Sequence, residues 1–270
     1  MKSTILNIVM YVFLSVAAFL SLFPLVWTAI SATNSTADIL AASLLPGRYL
    51  GANFHRLMEL TDLPRAFWNS AKNAAILTFG SVMICSMAGY GFEIYHSKWK
   101  DRLMSVLLLS MMVPFAAVMI PLFRLAANMN LINTTLGFIL PTLSTAFLIM
   151  LFRQSNRTFP RDMLEAARID GLNELSIFFR IYMPTMKATY AAAVTITFMA
   201  AWNVFLWPRL IMMSPEAVTM PMLIANLMAG YVTDFGVVML AVLIATLPTI
   251  IIFFFLQKHF AEGMMGSVKG

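Results

Sequence analysis

The sequence predicts an all-α polytopic membrane protein with six transmembrane helices. Of the 270 residues, 60% are hydrophobic and 11% are charged, and the mean hydropathy is +0.82. One soluble core cannot hide so much apolar surface, so the chain belongs in a membrane. Charged residues are absent from six windows: 3–37, 73–92, 103–123, 125–152, 188–208 and 235–257. Each window can cross about 30 Å of hydrocarbon, which takes about 20 helical residues.

The predicted spans lie within these windows. They cover residues 8–28, 74–90, 103–123, 134–152, 186–207 and 235–256. Pro24 predicts a kink near the outer end of the first span, and Pro114 and Pro121 predict a bent or broken third span. We interpret a shorter and more polar window, 217–233, as part of an external loop or a re-entrant piece.

The placement of Lys and Arg predicts the orientation. With an inside N-terminus, twelve of these residues fall on the inner side of the membrane and six on the outer side. Both termini and the segment 161–184 are therefore expected in the cytoplasm. The net charge of +6 reflects this topology, and no soluble basic face is left for a nucleic-acid partner.

The N-terminal part is expected to contain an uncleaved first span, because its apolar run is too long for a signal peptide. The segment 31–72 that follows is expected outside the membrane. In this segment, Asn53 is predicted to cap a short helix. The apolar stripe of that helix comprises Phe54, Leu57 and Met58. The stripe either rests on the membrane surface or offers a docking surface to an external partner.

One polar segment, 161–184, interrupts the apolar spans and carries too many charges for a lipid environment. Pro160 with an acidic first turn predicts a helix start, and Gly171 predicts the left-handed stop of that helix. Asn173 predicts the N-cap of a second helix, which Pro184 interrupts or kinks. The prediction is a helix, a hinge and another helix.

The first helix of this segment is predicted to have a shallow apolar ridge. Met163, Leu164 and Ala167 share one face at positions i, i+1 and i+4, and charged side chains lie elsewhere. A ridge framed by charge is typical of a surface that binds another protein rather than lipid.

The spacing within the segment resembles the EAA signature of permease subunits in ATP-binding-cassette (ABC) importers. That signature is EAA-x3-G-x9-I-x-L-P, and Met183 replaces its Leu, which conserves volume. The resemblance implies the type I ABC importer permease fold, with 161–184 as the cytoplasmic coupling helix that fits a cleft on a separate ATPase subunit. The residues it assigns to ATPase coupling are Glu165, Ala166, Ala167, Asp170, Gly171, Ile181 and Pro184.

Other stretches resemble the carbohydrate subfamily of these importers, in particular the maltose-type second permease subunit. They are the Trp202-Asn203 pair, the tail 257–270 and the two prolines of the third span. Val204 stands where the family usually has an acid, so no role of that acid carries over. The matches run from about residue 50 to the C-terminus.

This resemblance implies a permease subunit that forms half of the translocation path for a carbohydrate or related polyol. The implied partners are a second permease subunit, two ATP-binding subunits and an extracytoplasmic solute-binding protein, in a bacterial or archaeal cell membrane. The chain is expected to divide into a first transmembrane helix with an external loop, 1–72, and a permease core with five transmembrane helices, 73–270.

The fifth span has the densest set of polar residues of any span. An Asn deep in hydrocarbon is costly, so this helix is predicted to face protein or water and to line the path. The candidate path residues are Thr195, Met199, Trp202 and Asn203. The alternative for Asn203 is an interhelical hydrogen bond, worth about 0.6 kcal/mol on average.

No nucleophile elbow, zinc-protease motif or P-loop occurs in the sequence, so no enzyme and no metal site is expected. No cofactor is expected on this chain, since the resemblance implies that ATP binds the partner subunit. The single Cys, Cys85, excludes a disulfide within the chain. Two alternatives remain open: a dimeric secondary carrier for a small solute, and a non-transporting membrane scaffold.

Overall fold

A computed structural model describes the backbone of residues 2–230 and 232–266 and the side chains of 6–230 and 232–258. Throughout these residues the regular structure is helical, as predicted. The helices are α1 Lys2–Ser31, α2 Thr36–Leu40, α3 Leu50–Leu60, α4 Leu63–Ile94, α5 Lys98–Ser110, α6 Phe115–Asn128, α7 Thr135–Ile139, α8 Ala146–Asn156, α9 Arg161–Ile169, α10 Glu174–Ile177, α11 Met183–Thr185, α12 Lys187–Asn203, α13 Leu206–Ile211, α14 Met220–Met228 and α15 Phe235–Gly266.

Three helices of the described part, α1, α4 and α15, are long and apolar enough to cross a membrane on their own. Two bent pairs raise this number to five if each pair is one crossing. The predicted fifth span is α12, whose 17 residues lie at the short end of the range for a transmembrane helix, about 17–25 residues.

The third and fourth predicted spans are not single helices. Helices α5 and α6 meet at 96°, and the break falls at Pro114, whose extended backbone cannot continue a helix. Pro121, in contrast, lies inside α6. The fourth span bends by 54° after a 3₁₀ turn that contains Pro141, and Thr145 caps the helix α8 that follows.

Two features of the segment 31–72 differ from the expectation. Helix α4 begins at Leu63, so the helix that contains the predicted second span extends well before residue 74. Asn53 lies inside α3 rather than at its N-cap, and its amide nitrogen donates to the carbonyls of Ala32 and Asn34, at 3.0 Å each. Ala32 and Asn34 lie in the turn that directly follows α1. Asn53 therefore joins α3 to the end of α1.

The chain divides into two compact units. The first unit comprises residues 1–64 and 220–247, and the second comprises 65–219 and 248–270. In the first unit, Asp234 accepts from Thr36 at 3.2 Å and pairs with Arg56 at 3.3 Å.

The window 217–233 contains α14, whose Met220, Met222 and Leu223 are buried.

The second unit is organised around a core where α4, α5, α8 and α12 meet. Its buried residues are Val82, Cys85, Met104, Leu148, Ile149, Phe152 and Ala193. Helices α4 and α8 approach very closely at Gly89, where a Cβ atom would lie 2.6 Å from the Cβ of Phe152. Only glycine permits this distance. The segment 161–184 belongs to the same unit.

Candidate functional site

Helix α9 is the first part of the predicted coupling segment, and local sequence determines both of its ends. Pro160 precedes the helix with an extended backbone, and Asp162 places an acid in the first turn, where the helix dipole favours it. At the other end, Gly171 has φ of +79°. The amides of Gly171 and Leu172 donate to the carbonyls of Arg168 and Ala167, at 3.1 and 3.0 Å. This is a Schellman cap, and it confirms the predicted hinge.

The second part of the segment is a run of consecutive helical turns. Asn173 caps it as predicted, because its Oδ1 accepts from the amide of Ser176 at 2.8 Å. Helix α10 then widens into a π-helical turn, Phe178–Tyr182, immediately before α11. Pro184 in α11 has no amide hydrogen and crowds the carbonyl four residues earlier, and the wider turn relieves that crowding. Pro184 therefore does not end the helix, and a wider turn precedes it.

One face of α9 packs onto a cluster of buried residues that we term the aromatic platform. The platform consists of Tyr90, Phe159, Leu164, Ala167, Ile177, Phe178 and Tyr182. At its centre, the rings of Tyr90 and Tyr182 lie 4.9 Å apart, and the Tyr182 hydroxyl donates to Oδ1 of Asn156 at 2.6 Å. Ile181 is half-buried against the same cluster. The platform thus fixes α9 to α4 and to the helix that leads into α12.

The predicted apolar ridge of α9 is only partly exposed. Leu164 and Ala167 are 2% and 3% exposed because they belong to the platform, and Met163 alone faces outward. The outward face instead contains Glu165, Ala166 and Asp170 together with Ile169, which is 85% exposed. Sequence reasoning missed Ile169. Its position four residues after Glu165 is the signal that places both on one face.

Two polar contacts close the hinge between α9 and α10. Arg168 Nε donates to Glu174 Oε1 at 2.8 Å, and the Tyr90 hydroxyl donates to Glu174 Oε2 at 3.2 Å. The hydrogen bond from Arg168 lowers the pKa of Glu174, and its partly buried position opposes this shift. The carboxylate therefore stays ionised and holds the two helices together at neutral pH.

An ion cluster around the buried Arg153 and Glu93 lies at the start of α9, and sequence reasoning missed it. Arg153 at the end of α8 bonds Asp101 of α5, and its Nε lies 3.4 Å from Glu93 of α4. Arg161, the first residue of α9, reaches the other oxygen of Glu93 at 3.9 Å. Glu93 is thus the counterion of a buried arginine.

The predicted path residues of α12 divide into two pairs. Thr195 and Trp202 are buried: the Thr195 hydroxyl donates to the carbonyl of Ala191 at 2.8 Å, and the Trp202 ring packs edge-on against Phe67. Met199 and Asn203 are exposed on the surface of the described chain. The Asn203 amide nitrogen donates to the carbonyl of Met199 at 2.8 Å.

Comparison with known families decides the identity. Residues 80–266 match the model of the family described as "Binding-protein-dependent transport system inner membrane component". The chain belongs to this family. It is therefore a permease component of the inner membrane and not an enzyme, and the predicted family resemblance is confirmed.

Individual relatives agree with this assignment. The permease is 44% identical to the lactose transport system permease protein LacG of Rhizobium radiobacter, over 97% of this chain and 96% of that protein. It is 37% identical to the arabinooligosaccharides transport system permease protein AraQ of Bacillus subtilis, over 76% and 73% of the two chains.

A solved structure matches the permease over almost its whole length. It is a chain of a bacterial ABC transporter involved in the import of the acidic polysaccharide alginate, with a TM-score of 0.83 and 20% identity. The match covers 96% of this permease and 98% of that chain. At this identity the likeness establishes the fold, which is the predicted ABC importer permease fold.

Proposed function

We propose that this permease forms half of the path of a carbohydrate importer and receives the ATP-driven movement of a separate ATPase through α9. The proposed assembly contains a second permease subunit, two ATP-binding subunits and an extracytoplasmic solute-binding protein. Both termini of the permease lie in the cytoplasm, on the same side as 161–184. The observation that carries the proposal is the two-sided character of α9.

The outward face of α9 suits a protein partner. Ile169 is 85% exposed in a short helix rich in charge, and it lies beside the small Ala166 and the acidic Glu165 and Asp170. A large apolar side chain at the centre of a polar surface gains most when a partner's pocket removes it from water. Ala166 leaves room for the cleft of the ATPase to approach the backbone.

The inward face of α9 suits the transmission of movement. Leu164 and Ala167 are packed into the platform, and Arg161 contacts the ion cluster. Tightly packed interiors have low compressibility, so a displacement of α9 is passed to its neighbours rather than absorbed. The neighbours are α4 and the helical turns 174–185 that lead into α12, the proposed wall of the path.

Within α12, we propose that Met199 and Asn203 line the translocation path and that Thr195 and Trp202 support them from the packed side. The division follows the burial of the four side chains. Since Asn203 already uses one amide hydrogen for the Met199 carbonyl, its oxygen and second hydrogen are available to a passing hydroxyl group.

The substrate class rests on the relatives. The names of two relatives mention lactose and arabinooligosaccharides, and a third, from Yersinia pestis, is named a sn-glycerol-3-phosphate transport system permease protein. A carbohydrate or related polyol is common to the first two, which have the higher identities. We therefore propose a carbohydrate substrate for this permease.

The experiment is ATP-dependent uptake of radiolabelled lactose and arabinooligosaccharides by cells that contain the complete importer. Glu165→Arg reverses the charge that would pair with a basic residue of the ATPase. Loss of this ion pair should weaken ATPase binding by about 3–5 kcal/mol if the pair is buried and by under about 1 kcal/mol if it is exposed. Gly171→Pro removes the left-handed hinge and its capping amide. Both variants should insert normally and lose uptake.

The matched control is Glu59→Arg, which reverses an exposed acid on α3, outside the coupling segment. It should leave uptake unchanged. Wild-type uptake by both coupling variants would exclude the coupling role of α9. Uptake by the purified permease in vesicles without ATPase subunits would instead favour a secondary carrier.

A further inference from the structure

Helix α3 is joined to the ends of α1 and α15, two helices that are apolar enough to cross a membrane. Its Asn53 donates to two carbonyls of the turn that follows α1. A Cβ atom at Gly236, in the first turn of α15, would lie 2.7 Å from Nδ2 of the same Asn53. The amide of Tyr49, just before α3, donates to the carbonyl of Thr33 at 2.8 Å. Helix α3 is therefore held where the apolar stretch of α1 ends and that of α15 begins.

The side chains of α3 divide into three faces. Asn53 and Leu57 are buried and form the face that packs against the chain. Leu50, Phe54 and Met58 follow one another at every fourth position, so they form a single stripe along the helix. We term these three residues the apolar stripe of α3, and each is between 41% and 49% exposed. Leu57 was expected in the stripe, but it belongs to the buried face.

The third face of α3 is polar and lies opposite the apolar stripe. His55 and Glu59 form an exposed pair at 3.2 Å. Arg56 follows Phe54 by two residues, which turns it about 200° away from Phe54. Arg56 pairs at 3.3 Å with Asp234, the residue directly before the apolar stretch of α15. Because Asp234 marks the aqueous end of α15, the polar face of α3 points to water and the stripe points towards the membrane.

This division of faces fits a helix that lies in the plane of a membrane surface. The apolar face of such a helix enters about 5–10 Å into the boundary between lipid headgroups and acyl chains. The apolar stripe is then removed from water, whereas the charged side chains on the opposite face keep their hydration. A soluble protein that approached from the aqueous side would meet the polar face. The stripe therefore fits lipid better than a soluble partner.

We propose that α3 lies along the membrane surface and that Leu50, Phe54 and Met58 insert among phospholipids. This lipid contact is separate from the proposed function, which concerns α9 and α12. The leaflet is the outer one if 161–184 lies in the cytoplasm, but the contact itself does not depend on the orientation. Helix α3 would fix the ends of α1 and α15 that it joins at the level of the headgroups.

The test is fluorescence quenching at single cysteines on opposite faces of α3. In a Cys85→Ala background, Phe54→Cys and Met58→Cys place thiols in the apolar stripe. Ala52→Cys is the matched control, because this exposed residue lies two positions from Phe54 and on the polar side. Each thiol is labelled with an environment-sensitive fluorophore, and the complete importer is reconstituted into phosphatidylcholine vesicles.

Two quenchers distinguish lipid from water. The first is a phosphatidylcholine that carries a nitroxide near the headgroup end of one acyl chain. The second is iodide, which is present on both sides of the bilayer, so the orientation of the reconstituted importer does not affect the result. We expect the nitroxide lipid to quench the labels at Phe54→Cys and Met58→Cys severalfold more than the label at Ala52→Cys. Iodide should quench in the reverse order.

Three outcomes would overturn the proposal, and each leaves the proposed function standing. If iodide quenches the labels on both faces equally and the nitroxide lipid quenches neither, the stripe lies in water. If neither quencher reaches the labels in the stripe, another subunit of the importer covers it. If iodide reaches the stripe until the solute-binding protein is added, the stripe is a docking surface for that protein.

Discussion

The coupling region, which we define as α9, its hinge and the aromatic platform, differs from α1 in how its apolar residues are covered. In the coupling region, Leu164, Ile177 and Tyr182 are almost completely buried within the chain. In α1, side chains such as Phe13 and Phe19 are 70% and 67% exposed. The chain itself therefore covers these apolar residues of the coupling region, whereas it leaves those of α1 exposed.

This difference in burial shows two ways in which a helix of a membrane protein is stabilised. An all-round apolar helix such as α1 needs lipid or another subunit to cover it. The amphipathic α9 already has a buried face, and its opposite face is polar apart from Ile169 and Met163. Substitutions of the same type should therefore have very different effects in the two regions.

The largest effect is expected for Arg153→Met in the ion cluster. This change leaves Glu93, whose side chain is 10% exposed, without its buried counterion, at a cost of about 3–5 kcal/mol. The thermal unfolding midpoint of the purified importer should fall and uptake should be lost. Arg153→Met with Glu93→Met should recover most of the stability, since an apolar pair can replace a buried ion pair. No loss in the single variant would contradict the assigned cluster.

A matched pair of leucines compares the two regions directly. Leu164→Ala, in the platform, should cost about 2–5 kcal/mol because it leaves a cavity. Leu20→Ala, at a residue of α1 that is 64% exposed, should stay within about 0.5 kcal/mol. The measurement is the unfolding midpoint of each purified variant. Equal losses would show that α1 is packed against another subunit and that both leucines are covered by protein.

A matched pair of tyrosines gives a smaller effect. Tyr182→Phe removes the 2.6 Å hydrogen bond to Asn156 and leaves a buried amide oxygen unpaired, at a cost of about 1–3 kcal/mol. Tyr11→Phe, at an exposed residue of α1, should change nothing measurable. Both variants are compared by thermal unfolding and by uptake. A Tyr182→Phe variant as stable as the wild type would show that this hydrogen bond does not anchor the platform.

The smallest effect concerns pH. Because Arg168 lowers the pKa of Glu174 below the ordinary value of 4.5, the pair contributes stability above that value and loses it as pH falls through the lowered pKa. Both side chains are about 40% exposed, so the contribution is under about 1 kcal/mol. Arg168→Gln should reduce the loss of stability between pH 6 and 3, about the range around a carboxyl pKa. An unchanged pH profile would exclude this contribution.

Local chemistry explains what the sequence predicted correctly. The left-handed Gly171 and the N-cap at Asn173 depend on residues within a few positions, and both are present in the structure. The helical class follows from the composition in the same way. The roles of Glu165 and its neighbours in ATPase coupling, and of the α12 residues in the path, remain predictions.

Contacts between distant parts of the chain explain what the sequence could not predict. Glu93 and Arg153 are sixty residues apart, so no local pattern pairs them. Leu164 and Ala167 were expected to face a partner, whereas the aromatic platform buries them. The platform residues come from α4 and from the helix after the hinge, so the local sequence of α9 does not reveal them. Similarly, Asn is a common N-cap residue, which is why Asn53 was predicted to be a cap. Only the fold places its amide beside the carbonyls of Ala32 and Asn34.

We propose that α9 lies on the cytoplasmic side and couples the permease to its ATPase. A cysteine at Asp170, introduced with Cys85→Ala, tests it with a maleimide that cannot cross the bilayer. We expect labelling in inside-out vesicles, protection when the ATPase subunits are bound, and no labelling of intact cells. Labelling of Asp170→Cys from outside intact cells would contradict the cytoplasmic position of α9.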